Sequence, residues 1–281
     1  MKKTLLFLTI ISMSFTSWSQ APANDDCANR ITITVATGGA NSYSVDLTNA
    51  TESLDASCEN SANDNYDAWY EFTMPVNGNV HITGIPNSVT RSLFDSCGGT
   101  ELACGGDDGF FSNLTASTTY VLRIAEQFNF AGTVNFNIEA FEAAANDECV
   151  NRTTITVPTG GAASYSLDLR AATESLDASC EVSGNNNLDV WYEFTMPVDG
   201  NVHITGIPSN VTRTLYDSCG GVELVCGLNN GFFFNLTSGV TYVLRLSERD
   251  IFAGTVNFNI EAFATPTNDE CVGRSTIVVP T

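Results

Sequence analysis

Hydrophobic and polar residues alternate with period two through most of the chain. In residues 68–74, Ala68, Tyr70, Phe72 and Met74 share one face, and Trp69, Glu71 and Thr73 share the other, as successive side chains of a strand must. Residues 119–125 set Tyr120, Leu122 and Ile124 against Val121 and Arg123. Residues 132–141 set Val134, Phe136, Ile138 and Ala140 against Asn135, Asn137 and Glu139. Between them, residues 79–85 turn Val80 and Ile82 inward and Asn79, His81 and Thr83 outward. Residues 31–36, rich in β-branched side chains and closed by Thr37-Gly38-Gly39, predict a first strand, and residues 42–47 a second. RSLFDSC reads as a short strand, Pro75 to Gly78 and GGDDG (105–109) as turns, and the polar, Asn-rich residues 48–66 as a long loop. No stretch beyond residue 19 carries a helical period. Seven to nine short strands parted by turn signals predict a β-sandwich.

The pattern occurs twice. Residues 27–148 align without a gap on 149–270, with 87 of 122 positions identical. A period of this length means tandem whole domains, because solenoid repeats run about 20–50 residues and a domain roughly 100–150. NDECVGRSTIVVPT then opens a third copy, so the sequence reads as the front of a longer protein or as a truncated gene model. The expected division is a signal peptide at 1–19, a β-sandwich at 20–145, a second at 146–267, and the start of a third at 268–281. The signal rests on Lys2 and Lys3, the apolar run from Leu5 to Phe15, and Ser17 and Ser19 before a cut at Gln20. That run is short for a membrane span. The predicted address is secreted or cell-surface.

Charge narrows the partners. Of the 11 basic residues two are the signal lysines, so nine arginines face 32 acids in the mature chain. Such a surface repels nucleic acid and anionic membranes and keeps the protein soluble.

Four cysteines per copy in an exported chain read as disulfides. Cys97–Cys104 and Cys219–Cys226 are favoured, because their short Gly-rich loops close readily. That leaves Cys27–Cys58 and Cys149–Cys180, with Cys271 an orphan.

Catalysis finds little support. The two histidines, His81 and His203, are one site in two copies, set mid-strand on the polar face, and neither is placed as the base that a nucleophile would need. No Gly-rich phosphate loop lies between a strand and a helix. Binding has better candidates. Alternation turns Trp69, Glu71, His81, Asn135 and Asn137 outward, and likewise Trp191, Glu193, His203, Asn257 and Asn259. If their strands share a sheet, an aromatic ring lies among amides and acids, an arrangement suited to stacking on a sugar.

The motifs WYEFT, GNVHIT, LFDSCGGTELAC, TTYVLRI and AGTVNFNIEA resemble those of the bacterial pre-peptidase C-terminal domain and its relatives in secreted Bacteroidetes-type proteins. The likeness covers residues 67–141 and 189–263. It implies a jelly-roll-like sandwich acting as a non-catalytic module that binds polysaccharide or protein matrix, accompanies a secreted peptidase, or serves as a stalk. It also implies an acidic turn able to hold calcium. Asp107 and Asp108 match that turn, whereas the second copy has Asn229 and Asn230. No other cofactor is expected. The reading is all-β: tandem jelly-roll-like antiparallel β-sandwiches with a binding or adhesive role.

Overall fold

The structure, a computed structural model, describes residues 20–60, 65–127, 132–181, 187–248, 254–268 and 271–278. The expected signal peptide lies outside them.

Each repeat is a sandwich of two sheets. In the first repeat the strands are β1 (Ile31–Thr32), β2 (Ala36–Thr37), β3 (Asn41–Asp46), β4 (Asp67–Thr73), β5 (Gly78–Thr83), β6 (Val89–Phe94), β7 (Glu101–Gly106), β8 (Gly109–Leu114), β9 (Thr119–Glu126) and β10 (Thr133–Glu142). One sheet has the order β1-β4-β9-β6-β7. In the other, β10 lies between β5-β8 on one side and β2 with β3 on the other. The second repeat follows the same plan with β11 (Thr153–Thr154), β12 (Ala163–Asp168), β13 (Asp189–Thr195), β14 (Gly200–Thr205), β15 (Val211–Tyr216), β16 (Glu223–Leu228), β17 (Gly231–Leu236), β18 (Thr241–Glu248) and β19 (Thr255–Ala264). Its sheets run β11-β13-β18-β15-β16 and β12-β19-β14-β17.

The alternating apolar residues meet between the sheets. Tyr70, Phe72, Val80, Ile82, Leu122, Val134, Phe136 and Ile138 form one core, and their counterparts in the second repeat form another. Burying a Leu- or Phe-sized side chain is worth about 1.5–3 kcal/mol, so each repeat owns the greater part of its stability.

Residues 31–36 depart from expectation. They are not one strand: Ile31 and Thr32 pair in parallel with β4, and Ala36 and Thr37 pair in parallel with β10 of the other sheet. Ile33 and Val35 are buried where the chain crosses between sheets.

The disulfides also pair differently. Cys27 joins Cys97 and Cys58 joins Cys104, and in the second repeat Cys149 joins Cys219 and Cys180 joins Cys226, with Cα–Cα distances of 5.6–5.8 Å. The Cys97–Cys104 hairpin is already closed by the β6–β7 ladder, in which Ser92 lies opposite Cys104. Its two sulfurs are therefore left to fasten the amino-terminal segment and the long loop onto the sheet.

Candidate functional site

The outer face of the β3-β10-β5-β8 sheet gathers several of the outward residues. Along β10 it presents Asn135, Asn137, Glu139 and Phe141 in that order. Asn135 lies opposite Ser44, Asn137 opposite Ser42 and Thr83, and Glu139 opposite His81. The second repeat sets Asn257 by Ser166, Asn259 between Ser164 and Thr205, and Glu261 by His203. Ser42 Oγ donates to Asn137 Oδ1 at 2.6 Å, and Ser164 Oγ donates to Asn259 Oδ1 at 2.6 Å. One end of the face is thus a ladder of amides and hydroxyls.

The other end is aromatic. His81 stacks on Phe110 at 4.0 Å, with Phe141 at 6.5 Å. In the first repeat this end is covered by the 3₁₀ turn Leu169–Ala171 of the second. Asn79 Nδ2 donates to the carbonyls of Arg170 (3.1 Å) and Ala172 (2.6 Å), and the Arg170 guanidinium lies 4.6 Å from the Phe141 ring centre. Asp168 grips Arg170 through Nε at 2.9 Å and Nη2 at 2.7 Å. Phe110 and Ala144 pack against the second repeat's core. Burial pushes the His81 imidazole down to about 4; Asp108 opposes this, while Arg170 and Arg91 add to it. His81 is therefore neutral in the joint.

In the second repeat the same end is open. His203 stacks on Phe232 at 3.9 Å, with Phe234 and Phe263 beside it. Phe232, Phe234 and Phe263 are 38%, 62% and 42% exposed.

Trp69, Glu71 and Arg123 do not belong to this face, because β4 and β9 lie in the opposite sheet. Trp69 and Arg123 are buried, as are Trp191 and Arg245. Ser53, Leu54 and Glu59 of the long loop fold over Trp69 and Arg123. Arg123 donates from Nε to Asp67 at 2.8 Å, from Nη1 to Glu59 and from Nη2 to the Leu54 carbonyl, while Trp69 Nε1 donates to Ser53 Oγ at 2.9 Å. Glu71 and Glu193 are held by Arg30 and Arg152. Trp69 and Arg123 hold the loop down and are buried away from a ligand, whereas Glu71 fastens the amino-terminal segment to β4. Alternation missed the network; the sequence signal for it was that Ser53 and Glu59 lie in a ten-residue run, ATESLDASCE (50–59), that recurs unchanged at 172–181, with Asp67 recurring as Asp189.

Asp107 and Asp108 serve the turn. Asp107 and Asn229 have φ of 57° and 60°, in the left-handed region that Asp and Asn tolerate. Asp108 Oδ1 accepts from Ile85 N at 2.9 Å, and Asn230 Oδ1 from Ile207 N at 3.0 Å. Both roles need only a side-chain oxygen or a tolerant backbone, so Asn substitutes for Asp. Among the described residues no group of three or more His, Cys, Asp or Glu could hold a metal.

One buried acid stands apart. Burial pushes the Glu248 carboxyl up to about 9, and among the described residues its Oε2 has no hydrogen-bond partner. The folded state therefore keeps a proton that the unfolded chain releases near its ordinary value of 4.5. The resulting stability is complete below that value and is lost as pH rises towards 9. Glu248→Gln, neutral at every pH, is expected to raise the second repeat's stability by roughly 3 kcal/mol at pH 7 and to leave it unchanged at pH 4. Equal effects at both pH values in denaturant titrations would contradict a buried neutral acid.

A family profile described as galactose binding domain-like and T9SS-associated matches residues 23–138 and 145–260. This family replaces the pre-peptidase C-terminal family that the motifs suggested, while supporting tandem T9SS-type repeats. No curated protein matches the chain in sequence. Among solved structures, the CUB1-EGF-CUB2 domains of rat MASP-1 align over 82% of this chain and 100% of theirs, at 9% identity and a TM-score of 0.23. The tandem CBM51 modules of a family 98 glycoside hydrolase from Streptococcus pneumoniae SP3-BS71 align over 72% of this chain and 84% of theirs, at 8% identity and a TM-score of 0.19.

Proposed function

We propose a function from one premise: this chain belongs to the galactose binding domain-like family of T9SS-associated domains, whose profile it matches twice. The two repeats are exported, non-catalytic binding modules that hold an extracellular polysaccharide on the polar ladder of each outer face. The observation that carries this reading is the ladder's recurrence: Thr83, Asn137, Ser42, Asn135 and Ser44 return as Thr205, Asn259, Ser164, Asn257 and Ser166. Amides and hydroxyls both donate and accept, as a ring of sugar hydroxyls requires. The serine hydroxyls fix the oxygen of each central amide before any ligand arrives, which lowers the ordering cost of binding. Two weak sites on one chain gain roughly 100-fold or more in avidity on a polymer that spans both. Four disulfides fit an oxidising, extracellular setting.

Galactose-bearing polymers are the first class to test, following the family's description. The chain is expected to be retained on insoluble galactose-containing polysaccharide. Asn135→Ala, Asn137→Ala, Asn257→Ala and Asn259→Ala together are expected to abolish retention while the melting temperature stays within a few degrees, since Asn135 and Asn257 are exposed, Asn137 and Asn259 are only half-buried, and none belongs to the core. Retention that survives all four changes would remove the ladder as the binding site.

A further inference from the structure

The aromatic end of the second repeat's outer face is an open socket. We propose that it seats another domain of this same class, stacked head to tail as the first repeat seats the second. The inference goes beyond polysaccharide binding and concerns the other end of the face.

The two sockets are built alike. Asn79, His81, Phe110 and Phe141 correspond to Asn201, His203, Phe232 and Phe263. The backbone N–H of Asn113 donates to Asn79 Oδ1 at 3.3 Å, and that of Asn235 to Asn201 Oδ1 at 3.0 Å. Both amides are thereby turned the same way, and in the first repeat the Nδ2 so directed captures the carbonyls of the incoming turn. Gly78 and Gly200, at φ of 146° and 154°, let the strand carrying each amide close onto its neighbour; a Cβ would lie about 2 Å from the Phe141 or Phe263 carbonyl oxygen. Asn79 is fully buried by the docked turn, whereas Asn201 is half-buried. Phe234 stands where the first repeat has Ser112 and adds apolar area. An apolar patch ringed by directed polar groups marks an interface.

The sequence names the occupant. Residues 268–280 repeat residues 146–158 at ten of thirteen positions and follow β19 as the latter follow β10. Ile277, the counterpart of Ile155, is 85% exposed, whereas Ile155 is 5% exposed in its own repeat's core. Ile277 and Val279 hold the places of Ile155 and Val157, the apolar side chains of the second repeat's first crossing. The plug is also specific to an incoming repeat. Arg170 is gripped by Asp168 and laid on Phe141, while the first repeat has Thr48 at that position, bonded to Asp46.

The test is a three-repeat chain, residues 20–267 followed by a second copy of 146–267, compared with the present chain. Small-angle scattering is expected to fit one stacked arrangement in which the second joint repeats the first. Asn201→Ala with Phe263→Ala is expected to release the added domain, giving a broad spread of distances between domains. A second variant changes only the added domain's copy of Arg170 to Thr; it leaves the socket intact and is expected to loosen the same joint. Identical scattering with and without these changes would overturn the proposal. So would self-association of the two-repeat chain through Asn201 and Phe263, which would make the occupant a second copy. Protection of Phe232 and Phe234 by a soluble galactoside in the three-repeat chain would overturn it as well.

Discussion

Arg123→Met is expected to lower the stability of the first repeat by about 3–5 kcal/mol, the usual cost of breaking a buried ion pair from one side. Arg123 has no exposed side-chain surface, nor do its partners Glu59 and Asp67. Burial already raises the Asp67 carboxyl above its usual range even with Arg123 beside it. Without the guanidinium, Asp67 and Glu59 stay in a dry site with each other, and the Leu54 carbonyl loses its donor. Trp69, whose ring the guanidinium approaches at 5.9 Å, loses the lid that keeps it dry. The second repeat provides an internal control, because Arg245 holds Asp189 and Glu181 in the same way. In Arg123→Met the first repeat is therefore expected to unfold at lower denaturant than the second, splitting the transition. A single transition shifted by less than about 1 kcal/mol, the scale of an exposed pair, would show that the network is solvated and of little weight.

Removing the Cys58–Cys104 bridge is expected to cost about 4 kcal/mol, from the chain-entropy relation for a closed loop with its 46-residue separation. The Cys27–Cys97 bridge, at a separation of 70, is expected to cost slightly more, because the dependence on length is logarithmic. The pairing itself can be read from a cycle of substitutions. Cys58→Ser, Cys104→Ser and the double change should destabilise to about the same extent, since once one sulfur is gone the other has no bond left to lose. Cys97→Ser with Cys104→Ser should instead cost far more than either alone, because two bridges are broken. Peptide mapping that recovers Cys97 linked to Cys104 would refute the arrangement directly.

By itself the sequence determined the repeat, the all-β class and the core-facing residues. Ala68, Tyr70, Phe72 and Met74 were legible because the strand period is local and the core is what every strand faces. Asn135, Asn137, Asn257 and Asn259 were legible as outward for the same reason. Period two says only which residues point away from the core, and not whether something else covers them. Trp69 and Arg123 lie on an outer face, yet a loop whose Ser53 and Glu59 are 16 and 64 residues away in sequence seals them in. Only tertiary structure could assign β4 and β5 to opposite sheets, and so split one imagined ligand face into a buried ion network and an open ladder. The cysteine pairs followed the same logic: nearness in sequence favoured Cys97 with Cys104, but the backbone ladder had closed that hairpin, and the sulfurs were left to join segments that meet only after the sheets form. The joint was hidden too, because it brings Asn79 to residues 91 and 93 positions away. Such a contact exists only when two finished domains meet.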